Sequence, residues 1–143
     1  MSDNKKRLTT VRLQEMVQGY WKAAALMSAV ELGLFTAISK GAGTVAEIAG
    51  AIDITEPNAE RIVTAAVAME LIEVADGRYR NAPDVERFLV EGGPRYAGPW
   101  ILFTKPRWDK WGDLTEHLRA KDVDVLGQYM ELSVEDYRKY HAA

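Results

Sequence analysis

Residues 44–80 read TVAEIAGAIDITEPNAERIVTAAVAMELIEVADGRYR, and this stretch decides the fold class. Thr44 with Glu47 three positions on is a capping box, in which a hydroxyl and a carboxylate satisfy orphaned amides at a helix start. A helix therefore opens after Thr44 and runs to about Ala51. A second start follows almost at once: Thr55 is placed to cap, and Pro57 falls in the first turn, where a missing amide hydrogen costs nothing. Ile62, Val63, Ala66, Val67 and the run Met69 to Leu71 mark the buried stripe of this second helix. Two short alternating runs, Ile72 to Ala75 and Arg78 to Arg80, then flank Asp76-Gly77, a dipeptide suited to two-residue hairpin turns. Two helices joined by a short turn and followed by a hairpin make a winged helix-turn-helix. The predicted class is mainly α, a winged helix-turn-helix with a small β-hairpin, extended by N-terminal and C-terminal dimerisation helices.

Upstream, residues 1–10 are polar and read as a flexible N-terminus, with residues 11–143 forming one helical domain. Leu13, Met16, Val17, Tyr20, Ala24 and Met27 recur at spacings of three and four, the mark of a long amphipathic helix. From Trp21 to Ala29 the helix is apolar on nearly every side, so it is expected to bury two faces. A partner surface is the simplest second face. Gly33 is the expected stop, Leu34 to Ser39 adds a turn or two, and Gly41 and Gly43 break the chain. Downstream, Pro83 to Val90 reads as a short helix and Gly92-Gly93-Pro94 as a loop. Tyr96 to Ala120 reads as helical, with breaks near Pro99 and Pro106. Asp122 to Leu132 is ambiguous, and the capping box Ser133-Val134-Glu135-Asp136 opens a last helix.

Composition narrows the function. The chain has 143 residues, 48% of them apolar and 27% charged, which suits one globular domain and hardly two. Without cysteine, disulfides, zinc-thiolate sites, iron–sulfur clusters and thiol nucleophiles are excluded. The apolar run Ala23 to Phe35 is interrupted by Glu31, and the first ten residues have no signal-peptide pattern, so a cytoplasmic protein without a membrane partner is expected. A winged helix also raises the question of DNA. Between Thr44 and Val74 stand Glu47, Asp53, Glu56, Glu60, Glu70 and Glu73 against the single base Arg61. A helix entering a phosphate-lined groove should carry the opposite charge. Only Asn58 and Arg61 could read bases, and Arg78 and Arg80 on the wing could touch a backbone but read more simply as ordinary solvated charge, so no nucleic-acid partner is expected.

With the helices placed, Tyr20 to Ala25 and Ala29-Val30-Glu31-Leu32-Gly33-Leu34-Phe35 resemble the N-terminal dimerisation domain of S-adenosylmethionine-dependent small-molecule O-methyltransferases. The resemblance continues through Thr44-Val45-Ala46-Glu47-Ile48-Ala49, Arg61 to Leu71, the Asp76-Gly77 wing, Trp111-Gly112-Asp113-Leu114 within a Trp111 to Leu118 helix, and Ser133 to Ala143. It implies a degenerate winged helix that pairs two chains and helps close the substrate pocket of a catalytic domain. That catalytic domain, with its glycine-rich loop and ribose-binding acid, is expected to be absent from this chain. S-adenosylmethionine is accordingly expected as a cofactor only where a catalytic domain follows.

The residues that could carry chemistry are few. Gly41-Ala42-Gly43 follows a helical segment and reads as a loop breaker, not a cofactor cradle. Nothing at helical spacing around His117 or His141 marks a ligand set, and Asp113 and Glu116 beside His117 read as the solvated face of a helix, so no catalytic, cofactor-binding or metal-binding residue is assigned. Trp100, Phe103, Trp108 and Trp111 are the candidates for a substrate-pocket wall, because large aromatic surfaces concentrate at ligand walls and interfaces; Lys105, Arg107 and Lys110 interleave with them. Leu13, Met16, Val17, Tyr20, Trp21 and Met27 are the dimer-interface candidates. The expected partners are a second copy of the chain and an apolar or aromatic small molecule. The expected function is a dimerisation and pocket-lid domain of a methyltransferase; the alternatives are a dimeric winged-helix transcription regulator or a stand-alone small-molecule-binding module.

Overall fold

The structure, a computed structural model, describes residues 8–103, 105–120 and Val134. Its centre is the turn between α1 (Val11–Glu31) and α2 (Leu34–Ser39). Gly33 adopts φ 72°, a left-handed conformation open to glycine at no steric cost, and the chain reverses there without a loop. The reversal drives Leu34 and Phe35, the largest fully buried side chains, into the core. Around them pack Ala29 and Val30 of α1, Ile48 and Ala49 of α3 (Val45–Ala51), and Ala59, Val63 and Ala66 of α4 (Glu56–Ala68). Ile72 of β1 (Ile72–Ala75) and Val85 of α5 (Pro83–Phe88) close the cluster.

The Thr44 capping box is present in full: Thr44 Oγ1 accepts from the Glu47 amide, and Glu47 Oε2 accepts from the Thr44 amide at 3.1 Å. Thr55 occupies the cap position of α4 as expected, but its side chain makes no capping bond. Pro57 removes one of the amides such a bond would have served. The stripe of α4 falls as read at Val63 and Ala66, which are buried, and at Ile62 and Val67, which are half-buried; Met69 to Leu71 instead lie past the helix end at Ala68, with Met69 and Leu71 half-buried and Glu70 exposed. Ala59, fully buried against α3, is an addition to that stripe.

Helices α2, α3 and α4 end alike. In each, an amide two residues past the cap bonds back to a carbonyl five positions earlier: Ala42 to Ala37, Ile54 to Ala49 and Leu71 to Ala66, at 2.9–3.1 Å. The residue between must turn left-handed. Glycine takes that place after α2, but Asp53 (φ 54°) and Glu70 (φ 60°) take it after α3 and α4. The wing pairs β1 antiparallel with β2 (Arg78–Asn81), Val74 opposite Tyr79 and Ala75 opposite Arg78. Asp76 and Gly77 both have positive φ, the geometry of a turn whose twist matches the strands it joins.

Two long-range ties hold the wing. The Tyr79 amide donates to Gly43 O at 2.9 Å, and Arg78 Nη2 donates to Glu47 Oε2 at 2.9 Å and to Gly41 O at 3.0 Å. Arg78, which the sequence presents as ordinary solvated charge, thus fastens the wing to the start of α3. At the other end of β2, Asn81 Nδ2 donates to Phe35 O and to Glu86 Oε2, while Ser39 Oγ donates to Glu86 Oε1.

Two expectations need correction. Pro99 does not break a helix; it starts one, lying in the first turn of α6 (Gly98–Leu102), where no intrahelical amide is needed. The chain leaves helix after Leu102, makes a short 3₁₀ turn over Lys105–Arg107 that contains Pro106, and resumes as α7 (Trp108–Gly112) and α8 (Leu114–Arg119). Trp111 to Leu118 is likewise two helices, because the chain breaks at Asp113, the N-cap of α8. The readings for residues 1–7, Asp122 to Leu132 and the last helix, apart from Val134 in helical conformation, lie outside the described residues.

Replacing Glu70 with glycine should relieve left-handed strain and raise unfolding stability by about 1 kcal/mol, read as a higher urea midpoint at unchanged slope. The Glu47 carboxyl is held below its ordinary pKa, first by the Gly43 amide and then by Arg78. A depressed carboxylate pKa stabilises the fold above the unfolded value and loses that effect as pH falls through the folded one. The stability gap between the native chain and Glu47→Gln should therefore be present at neutral pH and close in acid. A gap that persists in strong acid would show that the carboxylate charge contributes nothing.

Candidate functional site

α1 outruns the core that it feeds. Residues 11–22 are exposed on every side, residues 23–28 are half-buried, and only Ala29 and Val30 are buried. This chain thus supplies partial cover to residues 23–28 and leaves Trp21 exposed, and the second buried face expected from Trp21 to Ala29 is not provided within it. Leu13 (53% exposed), Met16 (68%), Val17 (73%), Tyr20 (58%) and Trp21 (63%) stand open along the first part. A contiguous apolar surface of this kind is costly in water and marks a contact surface.

The same helix forms one wall of a groove. Gly19, Tyr20, Ala23 and Met27 face Trp108, Trp111 and Gly112 of α7 across a volume of about 530 Å³. Spacings of three and four place the α1 residues on one stripe. The facing wall is held by three contacts. α6 packs against α1, with Ile101 and Leu102 against the core. Lys105 Nζ pairs with Glu31 Oε2 at the end of α1. The Tyr20 and Trp108 rings meet at 5.3 Å between centroids, tilted by 40°.

The groove sorts the candidates read from sequence. It brings together Trp108 and Trp111, assigned to a pocket, with Tyr20 and Met27, assigned to an interface. Trp100, 62% exposed on α6, and half-buried Phe103 do not line it. Leu13, Met16, Val17 and Trp21 lie along α1 outside it. Gly19, Ala23 and Gly112 are the lining residues that reading for aromatics passes over. The i, i+4, i+8 series Gly19–Ala23–Met27 was the signal that could have found two of them. Lys110 is half-buried, and His141 lies outside the described residues.

The lining chemistry is narrow. Its polar side-chain groups are the Tyr20 hydroxyl and two indole N–H groups, and no acid or base is among the seven residues. Such a slot suits a flat apolar body held by stacking against rings, and it suits an ion poorly. A smaller depression of about 290 Å³ lies beside the Gly33 turn, with Lys40 and Glu91 on its lining. Among the described residues no cluster of His, Asp and Glu could hold a metal ion, and no helix is long and apolar enough to cross a membrane. On the outer face of α4, Arg61 Nη1 donates to Asn58 Oδ1 at 2.8 Å, so the two base-reading candidates engage each other beside exposed Glu56 and Glu60.

Comparison with known proteins meets this geometry. The sequence pattern of the O-methyltransferase dimerisation domain matches residues 14–91, from the groove-lining half of α1 through the wing and α5. Over 112 residues, 78% of this chain and 33% of the relative, the sequence is 38% identical to the N,N-dimethyltransferase OxyT of Streptomyces rimosus. It is 37% identical over 100 residues to a 3-hydroxy-5-methyl-1-naphthoate 3-O-methyltransferase of Streptomyces sahachiroi, covering 67% of this chain and 29% of that protein. Among solved structures, an O-methyltransferase family protein from Burkholderia thailandensis superposes with a TM-score of 0.67 at 30% identity, over 79% of this chain and 34% of the other. The chain thus spans about a third of the length of the relatives it matches. The two curated relatives are named for methylation at nitrogen and at a hydroxyl, yet are similar to this chain to nearly the same degree. A pattern matched over more than half the chain, running through its core turn and wing, establishes that the chain belongs to the O-methyltransferase family and carries its dimerisation domain.

Proposed function

We propose that this domain pairs two copies of the chain through α1 and offers the groove beside it as one wall and lid of an aromatic acceptor's pocket in a methyltransferase. The observation that carries the reading is the continuity of the exposed apolar face of α1 with the aromatic groove, Tyr20 belonging to both. One surface can serve both ends: a second copy covers the outer part of α1, and the flat acceptor enters beside it. The dimerisation-domain match and a relative named for a naphthoate support the two halves of the reading. The acidic outer face of α4, with exposed Glu56 and Glu60, supports the reading that nucleic acid is not a partner.

The methyl donor, S-adenosylmethionine, falls to residues other than these. A cofactor of that size needs a run of free backbone amides and an acid for its ribose. The one G-x-G, Gly41 to Gly43, spends its polar groups within the fold: the Gly43 amide donates to Glu47 Oε2, Gly43 O accepts from Tyr79, and Gly41 O accepts from Arg78. The described residues do not fit the donor, and no step of methyl transfer is assigned to them. Isothermal titration of S-adenosylmethionine into these 143 residues should give no saturable heat.

Pairing is tested by sedimentation equilibrium. A dimer is expected at micromolar concentration, with an interface on the order of 2,000 Å². Met16→Glu should weaken it roughly a hundredfold or more, since the charge must be stripped of water without a partner, while helix content stays that of the native chain. A native chain that sediments as a 16.0 kDa monomer would overturn the reading.

A further inference from the structure

Resting on the reading of the groove as an aromatic pocket, we infer that the ion pair of Glu31 with Lys105 positions the α7 wall, and that through it the groove's hold on an uncharged aromatic weakens as ionic strength rises.

Glu31 is a carboxylate in the last turn of α1, a helix of 21 residues with no base in that turn. The unpaired carbonyls of that end gather negative potential, so an acid there has the wrong sign and calls for a cation from elsewhere. The cation comes from 74 positions away, where Lys105 Nζ donates to Glu31 Oε2. Both side chains are a little under half exposed, so salt reaches the pair and screens it.

Position gives this pair a role beyond helix charge. The chain leaves the core at Leu102, the last residue of α6, and meets α1 again at the Trp108 ring, 5.3 Å from that of Tyr20. Lys105 stands midway between them and opens the 3₁₀ turn, whose Pro106 has a ring-locked φ. α7 follows that turn directly, so fixing Lys105 fixes the direction in which Trp108 and Trp111 set out. On α1 the two ties, at Tyr20 and at Glu31, bracket Ala23 and Met27 of the lining. They lie about 16 Å apart along the helix, at about 1.5 Å per residue. α7 itself packs chiefly on the turn before it and on α8 after it, so its distance from α1 is left to such ties.

The groove lining has no acid or base, and a neutral aromatic carries no charge, so inside the groove salt has nothing to screen. Salting-out acts in the opposite sense, strengthening apolar burial. A loss of affinity with rising salt is therefore the mark of an ionic tie outside the groove.

The chain has no cysteine, so two introduced ones take spin labels cleanly. Lys22 on α1 and Asp109 on α7 are exposed and lie outside the groove lining. With both replaced by labelled cysteine, and labelled chains diluted with unlabelled ones, double electron–electron resonance reads the α1–α7 separation within one chain. It is measured in the otherwise native chain, in Lys105→Gln, and in the charge exchange that combines Glu31→Lys with Lys105→Glu. Ionic strengths of about 0.01 M and about 1 M set Debye lengths of about 30 Å and about 3 Å. Quenching of tryptophan fluorescence by naphthol reads binding in the same variants without labels, with circular dichroism and sedimentation controlling for folding and pairing. The native distance distribution should be narrow at low salt and broad at high salt. Lys105→Gln should be broad at both, and the exchange should restore the narrow, salt-sensitive form. Naphthol affinity should follow, falling roughly two- to fivefold with Lys105→Gln or with salt, as befits an exposed pair. A distribution that Lys105→Gln leaves unchanged overturns the inference, while naphthol binding by the native chain still supports the pocket reading. Broadening that the exchange does not reverse also overturns it, since Lys105 then acts by packing and not by charge. So does a naphthol affinity that rises with salt in the native chain and Lys105→Gln alike. A native chain that binds no naphthol overturns the pocket reading and the effect on binding together, and the distances alone then decide whether the ion pair positions α7.

Discussion

The left-handed turn at Gly33 is the constraint on which the rest of the structure depends. It lets α1 and α2 meet without a linker, and so places Leu34 and Phe35 inside a cluster drawn from α1, α3, α4, β1 and α5. Were the turn one residue longer, the stripe of α2 would rotate by about 100° and bring other side chains to the core. The same turn leaves Glu31 at the end of α1, where it takes Lys105. The segment Glu31-Leu32-Gly33-Leu34-Phe35 is therefore one device: an anchor for the groove's far wall, a reversal, and the two largest plugs of the core.

From that centre the domain divides by polarity of attachment. The core holds the helices together by burial and takes Ile72 of the wing with them, whereas the start of the second wing strand is fastened by hydrogen bonds, from Arg78 to Glu47 and Gly41 and from Tyr79 to Gly43. Hydrogen bonds on a surface are worth little singly, but their directions are specific, and they fix where the hairpin lies. The far wall of the groove rests on fewer contacts still, a ring pair and an ion pair added to the packing of α6 on α1. Stability thus falls from core to groove, as suits a surface that has to accommodate an occupant.

The core architecture was legible because each of its elements has a local cause. Thr44 with Glu47 announces α3, Asp76-Gly77 announces the wing, and the stripe of α4 follows its period. Where local causes compete, reading failed or stopped short. Pro99 can break a helix or begin one, and only its position relative to Gly98 decides between these. Arg78 carries no sign of its partner, because Glu47 is 31 positions away and the pairing exists only once the wing has folded back. The site was half legible for a related reason. Aromatic residues attract notice and two of the four line the groove, but Gly19, Ala23 and Gly112 define its shape by what they lack. The meeting of interface and pocket residues at Tyr20 and Met27 depends on how α7 lies along α1, and no local pattern encodes that.

The compactness of the core in sequence bears on how the chain comes to be folded. All of the clustered buried residues fall between Ala29 and Leu89, and many of their pairings, such as α3 with α4 and β1 with β2, join consecutive elements. Topologies of this kind have short loops to close and fold quickly. During synthesis the core can close as soon as Leu89 has left the ribosome, before Trp108 and Trp111 have emerged to face α1. Through that interval the apolar arm of α1 is already presented by a folded body, free to find another nascent chain on the same message. Assembly between sibling chains as they are made, instead of between finished molecules, is thus a route that the order of residues along this polypeptide leaves open.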